Sequence, residues 1–156
     1  MKANEIMLAG VAGTTAFTLF SIGASHVCNE NFEEPELLGD MIYPLTPLRK
    51  KPAKLTGWVT HYLVGIALAA FYKIILQSSR YKPTISSGLL AGAITGYPAS
   101  LVWDAVLRVH PQPARPRTTS FYVQLTIGHA ILGAVIFAVF KSFEKREGRK
   151  TANKLK

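Results

Sequence analysis

The sequence predicts an all-α membrane protein, a single domain over residues 1–156 with four transmembrane helices. Composition is the first reason: 49% of the residues are hydrophobic and only 17% are charged, which is too apolar for an ordinary small soluble domain. The second reason is that the apolar residues form four blocks, at 6–27, 55–76, 85–109 and 120–142. Each block is close to the roughly 20 residues that a helix needs to cross the hydrocarbon of a bilayer.

The first block has small residues at helical spacing, among them Ala9, Gly13 and Ala16. In lipid, small residues on one helix face let a neighbouring helix approach closely, so this face is predicted to be a helix contact. Glu5 precedes an apolar run that is longer than the core of a usual signal peptide, so we expect a retained span. Cys28 is the only cysteine, which excludes a disulfide within the chain.

Residues 28–54 form the longest connection, which is acidic in its first half and basic in its second. Four prolines, the first Pro35 and the last Pro52, interrupt any long helix in this stretch. We expect a long outer loop that folds over the mouth of the bundle. The alternative is a short amphipathic or re-entrant segment.

The second block begins near Trp58, an aromatic residue of the kind found at membrane interfaces. His61 and Gly65 follow on one side of the predicted helix. Lys73 lies towards the other end, from which its ammonium group is expected to reach the aqueous surface.

A seam of small residues distinguishes the third block. Read in steps of four, it consists of Gly88, Gly92, Gly96 and Ser100, and it leads to Asp104 and Arg108. So many glycines would weaken a helix in water, whereas in lipid they provide a face that receives other helices. We expect a partner to pack on this seam and on the small-residue face of the first span.

The fourth block contains His129 and Gly133 and is followed by a basic tail, 143–156, which is expected to fray. Basic residues are more numerous on the side that holds this tail, although the cluster at 49–54 opposes the trend. The positive-inside rule therefore predicts that both termini are cytoplasmic. We attribute the net charge of +9 to this topology and not to contact with nucleic acid.

Two spans share a short pattern, in which a histidine precedes a glycine by four residues and a basic residue by twelve. The members are His61, Gly65 and Lys73 in one span and His129, Gly133 and Lys141 in the other. The pattern suggests a two-fold internal repeat of helix pairs. Because each unit would hold two spans, the repeats would be related by an axis along the membrane normal.

At this level the chain resembles small uncharacterised bacterial inner-membrane proteins, the YagU-like and related four-helix families. The residues that support the resemblance are Trp58, His61 and Gly65 in the second span and Gly128, His129 and Gly133 in the fourth. The resemblance implies a four-helix bundle in a bacterial inner membrane and no known activity. Asp104 and the long outer loop are not part of the shared pattern.

Ionisable side chains in or at the ends of the predicted spans are the candidate functional residues: His26, His61, Asp104 and His129. A charged side chain costs roughly 2.5–3.5 kcal/mol at mid-depth, so such groups are expected to face inward and to pair. In a structural hypothesis, Asp104 pairs with Arg108 or accepts from His61, and the histidines bond between helices. In a second hypothesis, the group lines a ligand pocket or an ion path. In a third, His61 and His129 hold a metal or a haem.

The sequence contains no P-loop, hydrolase elbow, dinucleotide-binding glycine pattern or Cys-x-x-Cys pair, so no catalytic residue is assigned. We predict a non-catalytic accessory or structural subunit of a membrane complex, or a homo-oligomer, whose partners are the bilayer and another membrane protein. The first alternative is a small transporter or channel-like protein with an outer-side His/Asp site. The second is a protein that binds haem or a metal through two histidines; otherwise no cofactor is expected.

Overall fold

The computed structural model describes residues 2–79, 82–113 and 118–154. Within these ranges the chain forms helices only: α1 (Ala3–Cys28), α2 (Glu34–Leu45), α3 (Lys50–Ser79), α4 (Ile85–Val109) and α5 (Thr118–Lys154). Four of them, all except α2, are long and apolar enough to cross a membrane. The predicted fold class is therefore confirmed, and the two-fold repeat of helix pairs stays a prediction.

The four long helices are arranged as a row, α3–α1–α5–α4, in which each packs on the next. The first and last members of the row, α3 and α4, do not pack closely along their lengths. In the described residues, hydrogen bonds join them only through Tyr72, whose hydroxyl bonds to the Thr95 hydroxyl and to the Ala91 carbonyl. The row therefore curves into an open bundle with a gap between α3 and α4.

The glycine seam of α4 packs on α5 of the same chain. A Cβ added at Gly88 would lie 2.5 Å from the carbonyl oxygen of Gly133, and one added at Gly92 would overlap the carbonyl oxygen of His129. At Gly96 the nearest atom is Cα of Thr126, 2.9 Å from the added carbon. The seam is thus filled from within the chain, and the partner surface that the sequence suggested here is not free.

The small-residue face of α1 is also filled from within. A Cβ added at Gly13 would lie 2.7 Å from the Ile136 side chain of α5. Gly65 of α3 and Gly128 of α5 complete these contacts, because an added Cβ would overlap Thr14 at the first and the Phe17 ring at the second. The glycines of three helices therefore allow α1 to hold α3 on one side and α5 on the other.

The connection between α1 and α3 contains a 12-residue helix, α2, where we expected a loop. Pro35 stands in its first turn, a position that proline tolerates because the N–H it lacks has no helical partner there. Backbones approach closely at Gly39 and Gly57, so α2 lies against α3. A short helix therefore stands in this stretch, as the alternative had it, and its amphipathic or re-entrant placement in a membrane stays a prediction.

The basic tail, which we expected to fray, is instead helical, because α5 continues to Lys154. Residues 155–156 lie outside the described part of the chain. The segment is rich in Lys, Arg and Glu, which are good helix formers. Glu147 forms an ion pair with Lys2, the residue before α1. The ammonium group of Lys73 lies 3.5 Å from the buried carboxylate of Glu5, and its reach to the aqueous surface stays a prediction.

The α4–α5 contact predicts that Gly92→Ala lowers the thermal stability of the purified protein in detergent. The added methyl group overlaps the His129 carbonyl, so the two helices must separate, and overpacking of this kind costs about 1–3 kcal/mol. Gly23→Ala is the matched control, because nothing lies within 4 Å of a Cβ at that position. If both variants melt at the same temperature, the close approach of α4 and α5 at Gly92 is refuted.

Candidate functional site

A cavity of about 460 Å³ occupies the gap between α3 and α4, beneath α2, and we call it the α3–α4 cavity. Its walls are mostly aliphatic, with Leu68 and Val64 on α3 and Ala99 and Val102 on α4. Val64 is 53% exposed and Val102 is 62% exposed, so the cavity opens sideways between the two helices. Since these helices are membrane spans, the opening faces lipid.

His61 is held at the cavity wall by α1. Its Nε2 lies 3.1 Å from the Thr18 hydroxyl, and that hydroxyl donates its one proton to the Thr14 carbonyl at 2.9 Å. The other arrangement, in which Thr18 donates to a bare Nε2 of His61, would give up the bond from Thr18 to the Thr14 carbonyl. Thr18 therefore accepts from His61, which means that Nε2 of a neutral His61 has the hydrogen and Nδ1 is bare.

His129 has the opposite tautomer. Its Nδ1 lies 2.8 Å from the Leu125 carbonyl oxygen, which can only accept, so Nδ1 donates and Nε2 of the neutral ring is bare. The Phe17 ring contacts both imidazoles, with centroid distances of 5.9 Å to His61 and 5.1 Å to His129. Phe17 and the two histidines thus form one aromatic cluster at the base of the α3–α4 cavity.

Glu34, the first residue of α2, extends into the bundle and also lines the cavity. It is 2% exposed, and it accepts hydrogen bonds from the Ser21 hydroxyl at 3.2 and 3.4 Å. The Gln124 amide in turn donates to Ser21 at 2.6 Å. Burial raises the pKa of the Glu34 carboxyl from 4.5 to about 7, against the opposing effect of its hydrogen bonds to the backbone, Gln124 and Ser21.

Sequence reasoning missed this carboxylate. Glu34 stands among several acidic residues in a connection, and nothing in the pattern separates it from Glu33. The signal lay in the spans, because Ser21 and Gln124 are polar side chains within otherwise apolar blocks and so require a buried partner.

A second carboxylate ties α2 to α3. Glu36 forms an ion pair with Lys54 and accepts a hydrogen bond from the Trp58 indole at 2.9 Å. The Lys54 ammonium, followed by the indole N–H, holds the pKa of Glu36 below its usual value. These bonds, together with the contact of Gly39 and Gly57, fix α2 over one end of the cavity.

Asp104 lies away from the α3–α4 cavity, in a groove on the α4–α5 surface. Its carboxylate accepts from Arg108 Nε at 2.7 Å and from the Tyr122 hydroxyl at 2.9 Å. The Asp104–Arg108 pair of the structural hypothesis is therefore present, whereas Asp104 and His61 are not brought together. His26 is exposed at the end of α1 and does not line the cavity.

Of the four predicted polar site residues, the structure places only His61 and His129 in one cavity, and it adds Glu34. Within residues 2–79, 82–113 and 118–154 there is no group of three or more His, Cys, Asp or Glu side chains that could hold a metal ion. The chain matches no protein-family model, no curated protein and no solved structure. The resemblance to YagU-like families thus stays a prediction.

The buried Glu34 predicts that the protein loses stability as pH rises. An acid whose pKa is higher in the folded state binds its proton more tightly there, so the benefit is complete below pH 4.5 and is lost as pH rises towards about 7. The loss should approach roughly 3 kcal/mol above pH 7, and Glu34→Gln should remove it. The measurement is the melting temperature between pH 5 and pH 8.

Asp40→Asn is the control for that experiment, because Asp40 is an exposed carboxylate on the same helix. The Asp40→Asn protein should keep the wild-type pH profile. A Glu34→Gln profile parallel to that of the wild type would refute the assignment of the effect to Glu34.

Proposed function

We propose that this integral membrane protein binds a small lipid-soluble molecule, which enters the α3–α4 cavity sideways from the bilayer. The supporting observation is the cavity itself, whose volume of about 460 Å³ lies within the range of small-molecule sites. Its aliphatic walls and few polar groups are also typical of such sites.

The route of entry follows from the packing. The gap between α3 and α4 is closed at one end by the Tyr72–Thr95 contact and at the other by α2, which leaves the side that faces lipid. A ligand dissolved in the membrane would therefore reach His61 and His129 without crossing the aqueous phase.

The predicted role as an accessory subunit or a homo-oligomer remains a hypothesis of lower rank. It depended on the small-residue seams of α1 and α4, and these contact helices of the same chain. The location in a bacterial inner membrane with cytoplasmic termini also stays a prediction from the charge pattern.

The transporter and haem hypotheses have less support than ligand binding. The path hypothesis groups Asp104 with His61 and His129, whereas Asp104 bonds to Arg108 and Tyr122 in the groove on the α4–α5 surface. Haem ligation by His61 and His129 would have to accommodate Phe17, which packs against both rings.

The proposal is tested by photolabelling in native membranes with a lipid-soluble phenyldiazirine. Labelling of α3 and α4 at the cavity should saturate with probe concentration, because a cavity has a fixed capacity. Ala99→Trp should abolish the saturable part by filling the cavity, as Ala99 lies in its wall.

Ile94→Trp is the matched control, because Ile94 is on the same helix and is 63% exposed towards lipid. It should retain the saturable labelling. Labelling that rises linearly in the wild-type protein, or that is unchanged in Ala99→Trp, would overturn the proposal.

A further inference from the structure

The bare imidazole nitrogens define what the α3–α4 cavity can recognise. Nδ1 of His61 and Nε2 of His129 have no hydrogen-bond partner in the described part of the chain. In the described residues, the polar side-chain atoms that are fully buried and have no hydrogen-bond partner are Thr14 Oγ1 and Gln124 Oε1. Neither imidazole nitrogen is among them, so both nitrogens are accessible. Because the two rings are 8% and 7% exposed and both line the cavity, these nitrogens are accessible from inside it.

Both of these nitrogens are acceptors, and their tautomers are set by bonds on the opposite side of each ring. A backbone carbonyl fixes the hydrogen of His129, and the hydroxyl of Thr18, itself bonded to a carbonyl, fixes that of His61. A helix carbonyl cannot donate, so neither ring can reverse its tautomer without losing a bond. The cavity therefore presents acceptors to an incoming molecule at two fixed places.

We infer that the ligand is a neutral, lipid-soluble alcohol or phenol, whose hydroxyl group donates to a bare nitrogen of His61 or His129. This inference rests on the proposed function and specifies its ligand class. A molecule with only acceptor oxygens, such as an ether or a ketone, cannot form a hydrogen bond with either bare nitrogen. A cationic amine would have to leave water for a cavity whose walls are mostly aliphatic, where burial already raises the pKa of the Glu34 carboxyl to about 7, so a charge is costly there.

A matched pair of competitors tests the inference in the wild-type protein. The pair is a long-chain 4-alkylphenol and its O-methyl ether, which have almost the same apolar surface and differ in the one donor. Each competes with the phenyldiazirine for saturable labelling of the cavity. One neutral hydrogen bond contributes about 0.5–1.5 kcal/mol, so the phenol should compete at a concentration roughly two- to tenfold lower.

The outcomes separate the inference from the proposed function. If the phenol and the ether displace the saturable labelling equally, or if the ether displaces it better, the donor preference is overturned. The cavity then still stands as a binding site. The same holds if neither displaces it. Absence of saturable labelling overturns the proposed function itself.

Variants locate the acceptor. His129→Phe and His61→Phe keep an aromatic ring and remove the nitrogens, so at least one should bring the phenol to the affinity of the ether while the ether is displaced as in the wild type. His110→Phe is the control, because His110 is bonded to the Met41 carbonyl outside the cavity. An undiminished preference for the phenol in both cavity variants would contradict the inference.

Discussion

The close approach of helix backbones at glycine is the constraint on which the rest of this structure depends. Because Gly88 and Gly92 lie directly on α5, α4 is held at one end of the row. Because Gly65 lies on Thr14, α3 is held against α1 at the other end. The two helices at the ends of the row, α3 and α4, do not also pack closely on each other, and the gap between them is the α3–α4 cavity.

The second constraint is that polar groups in lipid need partners. Thr18 and Ser100 bond to carbonyl groups one turn back in their own helices. Asp104 is satisfied by Arg108 and Tyr122 at the α4–α5 surface. In the described residues, one nitrogen on each of the two cavity histidines is left without a hydrogen-bond partner, and the inferred ligand class depends on these two acceptors.

The sequence was sufficient for the number of spans, because a 20-residue apolar block has few alternatives. It was also sufficient to predict that Gly88, Gly92 and Gly96 contact another helix. Small residues do not reveal, however, whether that helix belongs to the same chain. The spacing of four residues identified the seam but did not identify α5 as the helix that packs on it.

Other features depend on tertiary contacts that no local pattern contains. α2 is a helix in a segment with several prolines because Gly39 meets Gly57 and Glu36 meets Lys54. Glu34 is buried because the Ser21 hydroxyl donates to its carboxylate, and Gln124, far away in the chain, donates in turn to Ser21. Asp104 and His61 are both ionisable, but they face different spaces because Asp104 lies on the side of α4 towards α5, whereas His61 lines the α3–α4 cavity.

The separation of α3 and α4 is the central claim, and cysteine cross-linking in native membranes tests it most directly. In a Cys28→Ser background, Val64→Cys with Val102→Cys should resist direct disulfide formation, because a disulfide requires Cα atoms within about 7 Å. The same pair should be joined by a longer bifunctional maleimide that spans the opening. Rapid formation of the direct disulfide would show that α3 and α4 are packed together and would contradict the cavity.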